Sequence, residues 1–323
     1  MAGTPAPRTS EAMMNRAGIS RLPRTLVVAV AFSALLSVTA ACSSSDSSTG
    51  QSSNAAAAVK ADAKLAAMLP ESVRKSGTLT VASAIYPPAV IVSGDQTKPT
   101  GWDVETVRAI ASTLGLKATF KVVPFESVVP GLQAGRFQAA TGEIFITPER
   151  TKVVTFVQNH VSTDSLLVKK DKDITAKTQD DLCGLTLSVQ LGSAEAQLAN
   201  QIAAKCKTDG KKAVDVKTFK EQAAVNLAVN EGRADAAIGS TSQVVYVVDQ
   251  TKTQFKTVEL PWGPEHATGL ALARNADTDK LAKAVEAATN KLIEDGTLKK
   301  ILDTYNGGLG GVDKAKIVPA SAS

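Results

Sequence analysis

The chain has 323 residues, 44% hydrophobic and 21% charged, with aromatics at 4% and a formal net charge of +5. Residues 1–41 hold four arginines and one glutamate, so the remainder carries only about +2. No basic stripe is interleaved with aromatics, and the two histidines (His160, His266) and three cysteines form no cluster at ligand spacing; nucleic acid and a metal centre are therefore not expected.

From the N-terminus, Arg16, Arg21 and Arg24 precede an apolar run from Leu26 to Val38. That run is shorter than the ~20 residues a membrane-spanning helix needs and reads as an export signal over residues 1–41. Small residues lead into Cys42, which resembles the lipid acceptor of a bacterial lipoprotein, although Thr39 stands where leucine is commonest. The other reading is an ordinary signal with a chance cysteine. Residues 42–60, rich in Ser, Ala and Asn, bury too little apolar surface to offset ordering entropy and read as a flexible tether.

The next 250 or so residues alternate between strand and helix periodicity. A strand at Thr78–Ala84 is followed by a helix at Trp102–Leu114, a strand at Lys117–Val123, a helix at Ser127–Ala134 and a strand at Gln138–Gly142. This β-α-β-α-β run predicts an α/β layer sheet. A second unit repeats it: strand Leu185–Gln190, helix Ser193–Cys206, strand Val214–Lys217, helix Lys220–Glu231, strand Ala234–Gly239, helix Ser240–Val248. Strands at Thr257–Leu260 and Thr268–Ala273 and helices at Asp277–Glu294 and Leu298–Tyr305 remain. Their return to the first unit gives two lobes crossed twice by the chain. The expected boundaries are 61–166 with 268–308 for lobe 1, 167–267 for lobe 2, and a flexible tail over 309–323. Cys183 and Cys206 flank a strand and a helix; in an exported protein they form a disulfide or remain two buried thiols.

Four features carry chemistry. Thr147-Pro148-Glu149-Arg150 starts a helix, with Thr147 as cap and proline first. Arg150 opposes the helix dipole there, so it is either a surface cation offset by Glu149 or a guanidinium fork for a carboxylate. Gln190-Leu191-Gly192-Ser193-Ala194 turns a strand into a helix whose free N–H groups suit an anion; the plain alternative is a routine cap. Tyr86, before two prolines, and Phe125 each follow a strand's carboxyl end, where open α/β sheets bind ligands. Each is a pocket wall or a packed loop aromatic.

The stretch from Gly77 to Gly307 resembles the extracellular solute-binding proteins of family 3, the substrate-binding lipoproteins of polar amino-acid ABC transporters. Tyr86-Pro87-Pro88, Gly101-Trp102-Asp103, Thr147-Pro148-Glu149-Arg150, Gln190-Leu191-Gly192-Ser193 and Asp295-Gly296-Thr297-Leu298 carry the resemblance. It implies a two-lobe periplasmic-binding-protein-like fold joined by a two-crossing hinge, near Ser162–Lys169 and His266–Leu270. It implies that Arg150 clamps an α-carboxylate, that Ser193 and Ala194 add donors, and that Tyr86 and Phe125 sandwich the ligand. Ser240 departs from the family, standing where an aspartate usually holds the ammonium. Glu143 and Phe145 replace small residues. One expectation is that Glu143 supplies the missing charge; the other is a carboxylate at the cleft edge that never meets ligand.

The implied function is hinge-closing capture of an amino acid or related small carboxylate-bearing solute. The expected protein is a cofactor-free, lipid-anchored monomer at the extracytoplasmic face, serving a membrane permease. Trp262, before the second crossing, is expected to report closure. The rival readings are a fold-related dehydratase or glycan-cleaving enzyme, and a sensor without a permease.

Overall fold

The computed structural model describes residues 54–305 and 310–320. The expected export signal, Cys42 and the tether as far as residue 53 lie outside the described residues. The strands in chain order are β1 (Thr78–Ser83), β2 (Lys117–Val122), β3 (Ala139–Thr141), β4 (Val154–Ser162), β5 (Asp164–Lys169) and β6 (Thr186–Gln190). Then come β7 (Asp215–Phe219), β8 (Ala236–Ser240), β9 (Phe255–Glu259), β10 (His266–Ala273) and β11 (Gly311–Val318).

They form two mixed sheets. The first has the order β11-β4-β10-β3-β1-β2 and the second β7-β6-β8-β5-β9. In each, three strands run parallel, as β-α-β connections require, and strands that return from elsewhere pair antiparallel. Both faces of each sheet are covered, so the central strands bury every second and often every residue. Leu79 and Val81 of β1 and all of β3 are inaccessible to solvent. Leu79 and Val81 each contribute about 1.5–3 kcal/mol.

In lobe 1, helices Trp102–Thr113, Thr278–Glu294 and Thr297–Thr304 cover one face and helix Val128–Gln133 the other. Gly101 enters the first of these at φ +116°, and a Cβ there would lie 2.3 Å from the Ala89 carbonyl oxygen. In lobe 2, helix Ala194–Thr208 covers one face and helices Gln222–Asn230 and Thr241–Thr251 the other. Cys183 is joined to Cys206 by a disulfide, with Cα atoms 5.6 Å apart.

Three expectations change. The tail expected to be flexible over 309–323 holds a strand: β11 pairs with β4, and Ala315 is fully buried. Its charged, broken alternation concealed a strand. The tether's last residues include helix Asn54–Ala57, whose Ala56 is buried in the lobe 1 core against helices Trp102–Thr113 and Thr297–Thr304. The first crossing falls at Thr163, between β4 of one sheet and β5 of the other, so lobe 2 begins at Asp164, earlier than residue 167. The second crossing lies between Glu259 and His266.

Candidate functional site

The cleft between the lobes is built from strand ends. Tyr86, Phe125 and Glu143 follow β1, β2 and β3, and Ser193 follows β6. Tyr86, Phe125, Glu143, Phe145, Arg150, Ser193 and Ala194 surround one small cavity with Gly142, Gln190 and Glu195. Two candidates stand behind it. Thr147 caps helix Pro148–Thr151, its hydroxyl accepting from the Arg150 N–H at 3.3 Å. Ser240 sits beneath Glu143 as the cap of helix Thr241–Thr251.

Arg150 is 9% exposed. Its guanidinium donates to the Phe145 carbonyl at 2.7 Å and, across the lobes, to the Gly192 carbonyl at 3.1 Å. It also lies over the Phe125 ring at 5.2 Å. Burial depresses its pKa and the Glu195 charge opposes this; the group stays cationic. Helix Pro148–Thr151 therefore presents Arg150 inward, and the surface-cation reading falls.

Glu143 occupies the left-handed region at φ +51°, strained for a residue with a Cβ. Asp103 holds it there. Its Oδ2 accepts from the Gly142 N–H at 2.8 Å and the Glu143 N–H at 2.9 Å. The Glu143 carboxylate then accepts from three hydroxyls: Ser162 at 2.9 Å, Ser240 at 3.0 Å and Ser242 at 2.9 Å. The last two belong to the opposite lobe. Burial pushes its pKa up to about 7, against the serine hydrogen bonds and with a push from Glu195.

Tyr86 links the lobes a third time. Its hydroxyl accepts from the Ser240 N–H at 2.9 Å and donates to Glu195 Oε1 at 3.3 Å. Glu195, in the first turn of helix Ala194–Thr208, is 7% exposed. Burial and then Asp164 raise its pKa, outweighing Arg150. At the hinge, His266 Nε2 lies 2.9 Å from Asp164 Oδ2, and its ring stacks on Phe145 at 4.3 Å. Burial lowers the His266 pKa, but the Asp164 hydrogen bond and charge prevail and raise it.

The sequence reading missed Glu195, Ser162, Ser242, Asp164 and His266 as members of this network. An acid in a helix's first turn is ordinary dipole complementation and drew no notice. The serines and the hinge pair converge only in three dimensions. With the lobes meeting this way, the remaining cavity is about 10 Å3, about the space of one water. Nothing larger than a water enters unless the lobes part.

The sequence profile of the bacterial extracellular solute-binding proteins, family 3, matches residues 79–308. The probable amino-acid-binding protein YxeM of Bacillus subtilis (strain 168) is 29% identical over 208 residues, covering 64% of this chain and 76% of that protein. Among solved structures, an ancestral arginine-binding protein bound to arginine superposes with TM-score 0.63 at 28% identity, covering 71% of this chain and 98% of that one. The ancestral amino acid-binding protein AncCDT-1, a precursor of cyclohexadienyl dehydratase, gives 0.64 at 27% identity, covering 73% of this chain and 97% of that one. By fold, cleft and sequence, the chain belongs to the bacterial extracellular solute-binding proteins, family 3.

Proposed function

We propose that this protein captures an amino acid, or a close carboxylate-bearing relative, for an ABC importer, tethered to the extracytoplasmic membrane face by a lipid on Cys42. The observation that carries the reading is Arg150, a buried guanidinium facing the cleft with one bond inside its own lobe and one across to Gly192. In the parted lobes the Gly192 bond is broken, freeing an edge of the fork for a carboxylate. The N–H groups at the start of helix Ala194–Thr208 approach the same anion as the lobes close. Glu143 takes the ammonium, doing the work that Ser240 cannot. Tyr86 and Phe125 flank the ligand. Closure about the two crossings presents the shut form to a permease. Relatives support the class: L-cystine-binding protein TcyJ and ABC transporter arginine-binding protein 1, both of Escherichia coli (strain K12), are 28% and 27% identical. The test is a thermal-shift panel of amino acids on the mature chain. A true ligand at a hundredfold its dissociation constant stabilises by about 2.7 kcal/mol. No shift with any carboxylate-bearing amine contradicts the reading.

One observation favours a second reading. A carboxyl group titrating near 7 in a closed cleft, as Glu143 does, is suited to general acid chemistry, and one structural neighbour is described as a dehydratase precursor. Product formation from prephenate-like substrates, abolished by Glu143→Gln, would establish that reading; saturable binding without turnover excludes it.

A further inference from the structure

The charges of the cleft do not balance. Three carboxylates face it or its hinge wall, Glu143, Glu195 and Asp164, and all are buried. The opposing cations are Arg150 and, when protonated, His266, which is paired with Asp164. An ordinary zwitterion satisfies Arg150 with its carboxylate and Glu143 with its ammonium, and contributes no net charge. Glu195 is then left with the Tyr86 hydroxyl at 3.3 Å, the Ser193 side chain, its own backbone N–H and the favourable end of a helix. Its raised pKa shows that this support falls short of its burial cost.

Acceptors are also in excess beside it. Asp164 Oδ1 and Gln243 Oε1 are buried acceptors with no hydrogen-bond partner among the described residues, and the Gln243 Nε2 donor is unpaired too. Gln243 is 1% exposed, and its Oε1 packs over Gly239 beside the Tyr86 hydroxyl. That hydroxyl is the one that meets Glu195. Unsatisfied buried acceptors next to an under-compensated carboxylate call for a donor-rich cation, and an ammonium brings three donors and a guanidinium five.

We propose that this cleft selects an amino acid carrying a second cationic group, a diamino or guanidino acid, and that Glu195 is the residue that receives that group. The proposal rests on the amino-acid reading above, with Arg150 on the α-carboxylate and Glu143 on the α-ammonium. A neutral side chain of the same shape leaves Glu195 uncompensated; a cationic one closes the charge account and fills the acceptors near Tyr86.

The test is calorimetric titration of the mature chain with L-arginine, L-lysine and L-citrulline, the last matching arginine in shape without its charge. The wild type is expected to bind arginine or lysine at least tenfold more tightly than citrulline. In Glu195→Gln the preference should fall below about threefold while citrulline affinity is retained, which also shows that the variant folds. Citrulline bound as tightly as both cationic ligands by the wild type overturns the charge selection and leaves the amino-acid reading standing. An unchanged preference in Glu195→Gln overturns the role of that residue. Failure of all three ligands, with another amino acid bound, refutes the inference alone; failure of every amino acid refutes both.

Discussion

At the scale of single residues, Glu143 is the most sensitive group. Its carboxyl titrates near 7 in the folded protein, against an ordinary value of 4.5. The folded state therefore holds a proton that the unfolded chain has released between those values, and stability falls as pH rises through that window. The size is on the order of 3 kcal/mol. His266 acts in the same direction: its raised pKa gives stability at low pH that is lost as pH climbs through the folded value. Urea denaturation of the unliganded protein at pH 5 and pH 8 is expected to show lower stability at pH 8, with most of the difference removed in Glu143→Gln. Equal stability at both pH values in the wild type contradicts the burial account. Asp103 underlies this group, because it fixes the two N–H donors that hold Glu143 in its strained turn. Arg150 was legible in the sequence as a cation against a helix dipole, and Glu143 as an acid in a small residue's place. Glu195 was not legible, because only burial separates it from an ordinary helix-capping acid.

At the scale of elements, the staple and the strap are separable. The disulfide from Cys183 to Cys206 spans 23 residues of sequence, and closing a loop of that length contributes about 3 kcal/mol in the chain-entropy account. The double variant Cys183→Ala with Cys206→Ala should lower lobe 2 stability by roughly that amount without changing ligand affinity, read by denaturation and titration of one sample. β11 makes a different prediction. It pairs along β4 up to the hinge, where the Val161 N–H donates to the Gly310 carbonyl at 2.8 Å. Truncation after Gly310 should expose the β4 edge and accelerate hydrogen exchange in residues 154–162; unchanged protection argues against a stabilising strap. The alternating elements of both lobes could be read from the sequence because their apolar periods are clean. β4 could not, because its buried positions hold Gln158, Asn159 and His160 as well as Phe156. β11 could not, because lysines and an aspartate interrupt its apolar pattern.

At the scale of the whole molecule, closure is written in three cross-lobe links: Arg150 to Gly192, Tyr86 to Ser240 and Glu195, and Glu143 to Ser240 and Ser242. Removing two hydroxyls leaves a buried carboxylate short of donors, a penalty of about 1–3 kcal/mol. Ser240→Ala with Ser242→Ala should therefore open the unliganded protein, seen as a larger radius of gyration in small-angle scattering at pH 7; an identical radius contradicts the latch. Trp262 donates to the Ala176 carbonyl at 2.9 Å inside lobe 2, and Trp102 stacks on His160 in lobe 1. The two-lobe plan could be anticipated from the order of elements, but which groups meet across the cleft depends on two chain crossings and has no local signature.

The most direct measurement is the affinity of the mature chain for its amino-acid ligand with and without the guanidinium, by calorimetric titration of wild type and Arg150→Ala. Micromolar or tighter binding by the wild type, weakened a hundredfold or more in the variant, is the predicted result. Equal affinity in the two proteins would contradict the account.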